Sequence, residues 1–263
     1  MTLWRVALRA RGEDVEVTRV ELLELVPAGI EERALADGSV ELAAYVDEPQ
    51  RAALLARFGD VRAEPVGDGW QDAWRAFHRP VEAGGLWLGP PWEEPPDRRH
   101  AVVIDPGRAF GTGAHPTTRL CIELLAAEAR RGPILDVGCG SGVLSIAAAR
   151  LGFCPVVAID NDPIAVEVTL ANAAVNDVVV EARYVDALTQ ELPPAGLVVA
   201  NVLLEPVERI LARSEADRAI TSGYLAGDAP RAPAWRHLAR RELDGWAADV
   251  FVRHAERSVD STV

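Results

Sequence analysis

Ile134-Leu135-Asp136-Val137-Gly138-Cys139-Gly140-Ser141-Gly142-Val143 is the stretch whose reading decides the fold. A short apolar run meets three glycines on alternate positions and passes into a helix-forming segment, 144–151. That is a buried strand, a tight turn and a helix start, the geometry that holds a nucleotide-like ligand at the edge of a parallel sheet. Glycine serves there because the chain turns through unusual dihedrals and the ligand approaches bare backbone. A dinucleotide fingerprint wants glycine at its first, third and sixth positions. Here Gly138, Gly140 and Gly142 leave Val143 in the sixth, which disfavours a nicotinamide enzyme. Asp136, just ahead of the glycines, points instead to S-adenosylmethionine, whose methionyl end carries an ammonium that a carboxylate helps to hold.

Working outward, Asp160 ends the next apolar run and stands 22 residues past Gly138. An acid at that distance accepts both hydroxyls of a ribose whose far end lies on the glycine turn; its plainer role is capping the helix that follows, a task Asp162 also suits. Asp186 ends the strand after that and either faces the adenine amino group or is a solvated loop residue. Asn201 closes the apolar run Val198-Val199-Ala200 at the carboxyl edge, where open α/β sheets bind ligands. It is the candidate catalytic residue, orienting an amine or the cofactor through its amide oxygen. Upstream, Phe110-Gly111-Thr112-Gly113-Ala114-His115-Pro116-Thr117-Thr118 forms a loop ahead of a helix. Helix N-termini attract carboxylates through free amides and the dipole, with Thr117 either adding a hydroxyl or simply capping.

Composition narrows the partners. The net charge of −13 argues against direct binding of nucleic acid and favours a basic partner. No apolar run reaches the roughly 18 residues of a membrane span, and no basic-then-apolar leader follows Met1, so a cytoplasmic protein is expected. Cys121, Cys139 and Cys154 lack metal spacing and fit reduced thiols; the five histidines are scattered, so no metal site is expected. All 27 basic residues are arginine, none lysine, a bias that a GC-rich genome accounts for and that a protein avoiding its own methylation would share.

The order strand, helix, strand, strand, helix, strand over residues 1–66 suits a small α+β split-βαβ domain. Residues 67–100 hold Trp70, Trp74, Trp87 and Trp92 among many prolines and are expected to be a connector, with a short helix over 72–78. From residue 101 to 263, strands and helices alternate as in a doubly wound, mostly parallel sheet. A helix is expected over 232–240, a last strand over 247–252 and frayed ends over 258–263.

The segment Asp105-Pro106-Gly107-Arg108-Ala109-Phe110-Gly111-Thr112-Gly113, with His115-Pro116-Thr117-Thr118, closely resembles the loop of the bacterial ribosomal protein L11 methyltransferases. Residues 135–142, Ala200-Asn201-Val202-Leu203 and Ser222-Gly223-Tyr224-Leu225 match the same family, as does the order of small first domain and tryptophan-rich connector. The resemblance implies a class I, Rossmann-like α/β fold that converts S-adenosylmethionine to S-adenosylhomocysteine while methylating lysine or N-terminal amines of a ribosomal protein. It assigns Thr117, Gly138, Asp160 and Asn201 to cofactor contact, joined by Asp136, Gly140, Gly142, Asp186, Phe110, Gly111 and Thr112, and residues 1–66 to substrate recognition. A monomer is expected. The alternatives are a methyltransferase for another protein or small amine, and a cofactor-binding module without transfer activity. Leu204-Glu205-Pro206 departs from the family, which usually has a small residue or glycine before that proline.

Overall fold

A computed structural model describes residues 4–12, 14–26, 30–35, 37–59, 61–66, 78–105, 111 and 113–254. Phe110, Thr112, Trp70, Trp74, the expected helix over 72–78 and the expected frayed end lie outside the described residues. The chain divides into two compact units, Met1–Phe77 with Gly107–Phe110, and His78–Pro106 with Gly111–Val263.

The first unit runs β1 (Trp4–Ala10), α1 (Asp14–Leu25), β2 (Glu31–Ala34), β3 (Val40–Val46), α2 (Glu48–Phe58) and β4 (Arg62–Pro65). Its antiparallel sheet has the order β2-β3-β1-β4, with the first and third strands central. Alternation explains the packing: Val6 and Leu8 of β1 and Leu42, Ala44 and Val46 of β3 join Leu22 of α1 and Leu54 of α2 in one core. A capping box starts α2, where Asp47 accepts from the Gln50 N–H and the Gln50 side chain accepts from the Asp47 N–H.

The second unit begins earlier than residue 101. Residues expected to be connector form β5 (Val81–Ala83) and β6 (Leu86–Gly89), which join β7 (Ala101–Val103) in a separate three-stranded sheet. Alternation again decides it, since Ala83, Leu86, Leu88 and Val102 face one core. Trp87 lies over Gly89, where a Cβ would collide with the indole, and Trp92 meets His78 edge-on at 6.4 Å.

The remaining elements are α3 (Pro116–Ala127), β8 (Ile134–Val137), α4 (Val143–Arg150), β9 (Val156–Asp160), α5 (Pro163–Val175), β10 (Glu181–Tyr184), β11 (Leu197–Asn201), α6 (Leu204–Arg213), β12 (Arg218–Leu225), β13 (Trp235–Leu243) and β14 (Trp246–Arg253). The seven-stranded sheet has the order β10-β9-β8-β11-β12-β14-β13. Strands β10, β9, β8, β11 and β12 are parallel, and β14 runs antiparallel to both its neighbours. Helices cover both faces: one core gathers residues of α3, α4 and α5, the other residues of α6. The helix expected over 232–240 is instead β13, an exposed edge strand whose pairing with β14 outweighs the helical preference of Leu238-Ala239-Arg240-Arg241-Glu242.

This order puts the switch point between β8 and β11, because β8 connects outward to β9 on one side while β11 flanks its other side. Ligands of open α/β sheets bind outside the carboxyl ends of such strands.

Candidate functional site

The glycine turn is built at that switch point. Gly138, Gly140 and Gly142 all adopt left-handed φ, of 74°, 53° and 79°, a conformation that penalises any side chain. A Cβ on Gly138 would stand 2.5 Å from Val202 Cγ1, so the turn packs directly against the residue after β11. Strand β9 already holds several amides of the turn: Gly138 N and Cys139 N donate to the Ile159 carbonyl at 2.9 and 3.1 Å, and Gly140 N donates to Asp160 Oδ2 at 3.0 Å. At these three residues the turn offers a ligand bare surface rather than unpaired donors.

Asp160 ends β9 beside the turn. Its Oδ1 accepts from Asp162 N at 3.0 Å, while Asp162 caps α5 by accepting from Ile164 N at 2.8 Å. The capping task thus falls to Asp162, and each Asp160 oxygen keeps acceptor capacity beyond its one backbone bond. Asp136 lies under the turn and is 1% exposed. Ser145 Oγ donates to its Oδ2 at 2.6 Å, and among the described residues Oδ1 is buried with no partner. Burial raises its pKa to about 7 against the pull of the Ser145 hydrogen bond, with repulsion from Asp160 adding to the rise.

Asp186 follows β10 at the same edge, with both oxygens engaged locally. Oδ2 accepts from Thr189 Oγ1 at 2.7 Å and Oδ1 from Leu188 N at 2.9 Å, and these bonds hold its pKa below the usual carboxylate value. Asn201 ends β11 beside Ser222 of β12, and its Nδ2 donates to Thr118 Oγ1 at 3.3 Å.

The loop ahead of α3 reaches the turn through Gly111, whose carbonyl accepts from Ser141 Oγ. His115 caps α3 in place of a threonine, accepting from Thr117 N. Its Nδ1 lies 2.7 Å from Thr117 Oγ1, and its ring meets Trp246 edge-on at 4.8 Å. The structure therefore brings Gly111, Thr117, Asp136, Gly138, Gly140, Gly142, Asp160 and Asn201 to one edge of the sheet, with Asp186 at its margin.

Sequence reasoning overlooked the residues that support the turn from α5. Thr169 Oγ1 donates to the Gly140 carbonyl at 3.1 Å and Asn172 Nδ2 to the Ser141 carbonyl at 2.9 Å. Asn176 pairs with both backbone groups of Val103 at 2.7 and 2.6 Å. A signal was present: Thr169, Asn172 and Asn176 are polar residues three and four apart in an otherwise apolar segment, which puts them on one helix face. Ser145, one turn into α4, and Thr118 carried no comparable pattern. Among the described residues no cluster of histidine, cysteine or carboxylate side chains is arranged to hold a metal, and no helix is long and apolar enough to cross a membrane.

Comparison with known proteins agrees with this architecture. The family model described as ribosomal protein L11 methyltransferase (PrmA) matches residues 23–229. The ribosomal protein L11 methyltransferase of Heliobacterium modesticaldum is 44% identical over 57% of this chain, a match that spans 49% of that protein. The protein of the same name from a Synechococcus species is 35% identical, with 93% of this chain and 95% of the relative covered. The crystal structure of the ribosomal protein L11 methylase from Lactobacillus delbrueckii subsp. bulgaricus matches with a TM-score of 0.60 at 25% identity, over 68% of this chain and 100% of that one. Its glycine turn, its seven-stranded class I methyltransferase sheet and these relatives make the chain a member of the ribosomal protein L11 methyltransferase family.

Proposed function

We propose that this protein is a cytoplasmic, S-adenosylmethionine-dependent N-methyltransferase whose substrate is ribosomal protein L11. The observation that carries the reading is the left-handed glycine turn at the switch point, flanked by Asp136, Asp160 and Asn201 on three neighbouring strands. The residues fit such a cofactor. The buried, unpartnered oxygen of Asp136 suits its ammonium, the spare acceptor capacity of Asp160 suits its ribose hydroxyls, and the bare glycines leave room between them. When bound, S-adenosylmethionine supplies a sulfonium methyl group to which an amine nitrogen bonds as the carbon–sulfur bond breaks.

The amine has to be neutral to attack. A lysine of pKa ~10.4 pays about 4–5 kcal/mol at pH 7 to expose its lone pair, an α-amino group of pKa ~8 about 1 kcal/mol. Asn201 cannot take a proton at these pH values, so its part is to orient the amine through its amide oxygen while the proton leaves to water. Catalysis is then mainly positioning. Glu205, exposed two residues past Leu203 and 3.5 Å from Arg209, offers a further carboxylate near that edge to a cationic substrate. Recognition of the ribosomal protein is assigned to the first unit, whose described residues hold no counterpart of the Gly138-Cys139-Gly140-Ser141-Gly142 run.

Labelled methyl transfer to purified ribosomal protein L11, with mass spectrometry of the product, tests the reading. Transfer to lysine or N-terminal amines is expected. Cofactor binding without transfer to that protein would leave the cofactor site standing and remove the substrate. Asp160→Ala is expected to weaken S-adenosylhomocysteine binding by about 1–3 kcal/mol, the cost of losing hydrogen bonds to a charged acceptor, and calorimetry measures it.

A further inference from the structure

We propose that this chain forms a two-fold symmetric dimer through the outer edge of β10, in place of the monomer expected from the sequence. Strand β10 is the last strand of its sheet and, among the described residues, pairs with β9 alone. An open edge presents unpaired backbone groups to any strand that can match it. Which groups point outward follows from one hydrogen bond. Val185 N donates to the Asp160 carbonyl of β9 at 2.9 Å, and backbone groups alternate sides along a strand. Glu181, Arg183 and Val185 therefore turn their backbone groups inward to β9, and Val180, Ala182 and Tyr184 turn theirs outward.

An interface on a two-fold axis has to be complementary to itself: where one residue meets a second, the second meets the first. The segment Val180-Glu181-Ala182-Arg183-Tyr184 has that property. Laid antiparallel to its own copy about Ala182, it sets Glu181 opposite the second copy's Arg183, and Arg183 opposite the second copy's Glu181. Ala182 faces itself on the axis, where a charged side chain would meet its like. As an outward-turned residue it exchanges both backbone hydrogen bonds with its copy, and Val180 does the same with Tyr184. Glu181 and Arg183 fall in the non-hydrogen-bonded positions between, where opposed side chains stand closest. Both are about half exposed and pair with each other within the chain, Arg183 Nε donating to Glu181 Oε1 at 2.8 Å. The two charges thus lie on one face of the strand already and need only exchange partners.

The opposite face of the strand belongs to α5. Val180 is buried in that core and Ala182 packs against it, so alternation puts Tyr184 on the same face, yet Tyr184 is 60% exposed. Beside it, α5 and the turn that follows expose Leu170, Val175 and Val179, the last of them 90% exposed. Apolar side chains gathered on one surface mark a contact where single ones do not. A chain of net charge −13 is repelled by its own copy at long range, so its contact with that copy has to be locally neutral. Glu181 with Arg183 is neutral, and its flank is apolar. Antiparallel pairing also turns the two carboxyl edges to opposite ends, so neither copy covers the other's glycine turn.

Sedimentation equilibrium of the full chain at about 100 μM tests this, a concentration at which even a micromolar Kd leaves most chains paired. A dimer is expected. Arg183→Glu and Glu181→Arg each oppose like charges twice, once on either side of the axis, and each is expected to raise the dimer Kd about tenfold or more. The double exchange, Glu181→Arg with Arg183→Glu, opposes unlike charges again and is expected to restore the wild-type Kd. Circular dichroism of the same samples checks that each variant is folded. Tyr184→Ser, which trims the exposed flank, replaces any single reversal that unfolds and is expected to weaken the dimer in the same direction. A wild-type monomer at that concentration overturns the inference and leaves the edge to a strand of another protein. A dimer whose Kd none of these substitutions moves overturns it too, because the contact then lies elsewhere. So does a folded double exchange that pairs as weakly as the single reversals, because the two charges are then not opposed.

Discussion

Two buried carboxylates in the same sheet are treated in opposite ways. Asp249 of β14 is fully buried and saturated: it accepts from His237 Nε2 at 2.6 Å, from Arg240 Nε and Nη2 at 2.9 and 2.8 Å, and from Tyr224 Oη at 2.9 Å. Burial would raise its pKa, and the bonds from Arg240, His237 and Tyr224 outweigh that and lower it. Asp136 of β8 is as deeply buried, and among the described residues its help comes from Ser145 alone, through hydroxyl and backbone, with no cation and with Oδ1 left without a partner, so burial prevails and its pKa rises. A buried acid completed by its own chain is structure; one left incomplete at a switch point is a place kept for something else. The hairpin β13–β14 and its neighbour β12 complete their buried acid; among the described residues the acid of β8 keeps one oxygen without a partner.

Breaking the saturated site should give the largest effect. Asp249→Ala takes its carboxylate from the Arg240 guanidinium, which keeps the Ala226 and Asp228 carbonyls, and is expected to cost about 3 kcal/mol, or about 10 °C of melting temperature for a unit of this size. Calorimetric scans measure it, and S-adenosylhomocysteine affinity of the folded protein should not change. Because the Asp249 pKa is lowered, this stability is present above the ordinary carboxylate range and fades as pH falls through the lowered value.

Asp136 should behave with the opposite sign. Its raised value means that the fold prefers the protonated form, so its contribution is complete below about pH 4 and is lost as pH rises through about 7. Asp136→Asn is therefore expected to stabilise the ligand-free protein at pH 8 by about 1–3 kcal/mol and to leave it unchanged near pH 4. The same variant should bind S-adenosylhomocysteine at least about tenfold more weakly, having lost a charged partner for the ammonium. Wild-type affinity should climb between pH 6 and 8, about the pKa of 7, as the carboxylate ionises. A melting temperature that falls at pH 8 in the asparagine variant would remove the contrast between the two acids.

The smallest effect sharpens the margin of the site. Asp186 resembles Asp249 in having both oxygens satisfied, but on the surface and within its own turn. Asp186→Ala is expected to leave the melting temperature close to that of the wild type and to shift S-adenosylhomocysteine affinity less than about threefold. A tenfold loss of affinity would instead make it part of the adenine pocket.

What the sequence revealed follows from how local each signal is. The turn at Gly138, Gly140 and Gly142 needs left-handed backbone whatever surrounds it, and the strand and helix beside it follow from short-range pattern. Asp160 was legible because one βαβ unit fixes its distance from the first glycine. Strand β13 was not: Leu238-Ala239-Arg240-Arg241-Glu242 prefers helix by itself, and only pairing with β14 and burial of Trp235 make it a strand. Strands β5 and β6 hid for a similar reason, since three and four residues among prolines carry little periodicity. The partners of Asn201 and of the glycine turn come from α3 and α5, over separations of 83 and about 30 residues, and such contacts exist only once the sheet is assembled.

The cysteines have a practical consequence for observing this protein at work. Cys121 and Cys139 are buried, and burial pushes both thiols up, away from the reactive thiolate form. Cys154 is exposed just before β9, at the amino edge of the sheet and hence at the opposite end of that strand from Asp160. A maleimide dye should therefore enter at one position, report on the second unit and leave the ligand edge clear. The absence of lysine removes the usual background of amine labelling on side chains, so fluorescence from Cys154 and methyl label on an acceptor protein can be read in the same cuvette without interference.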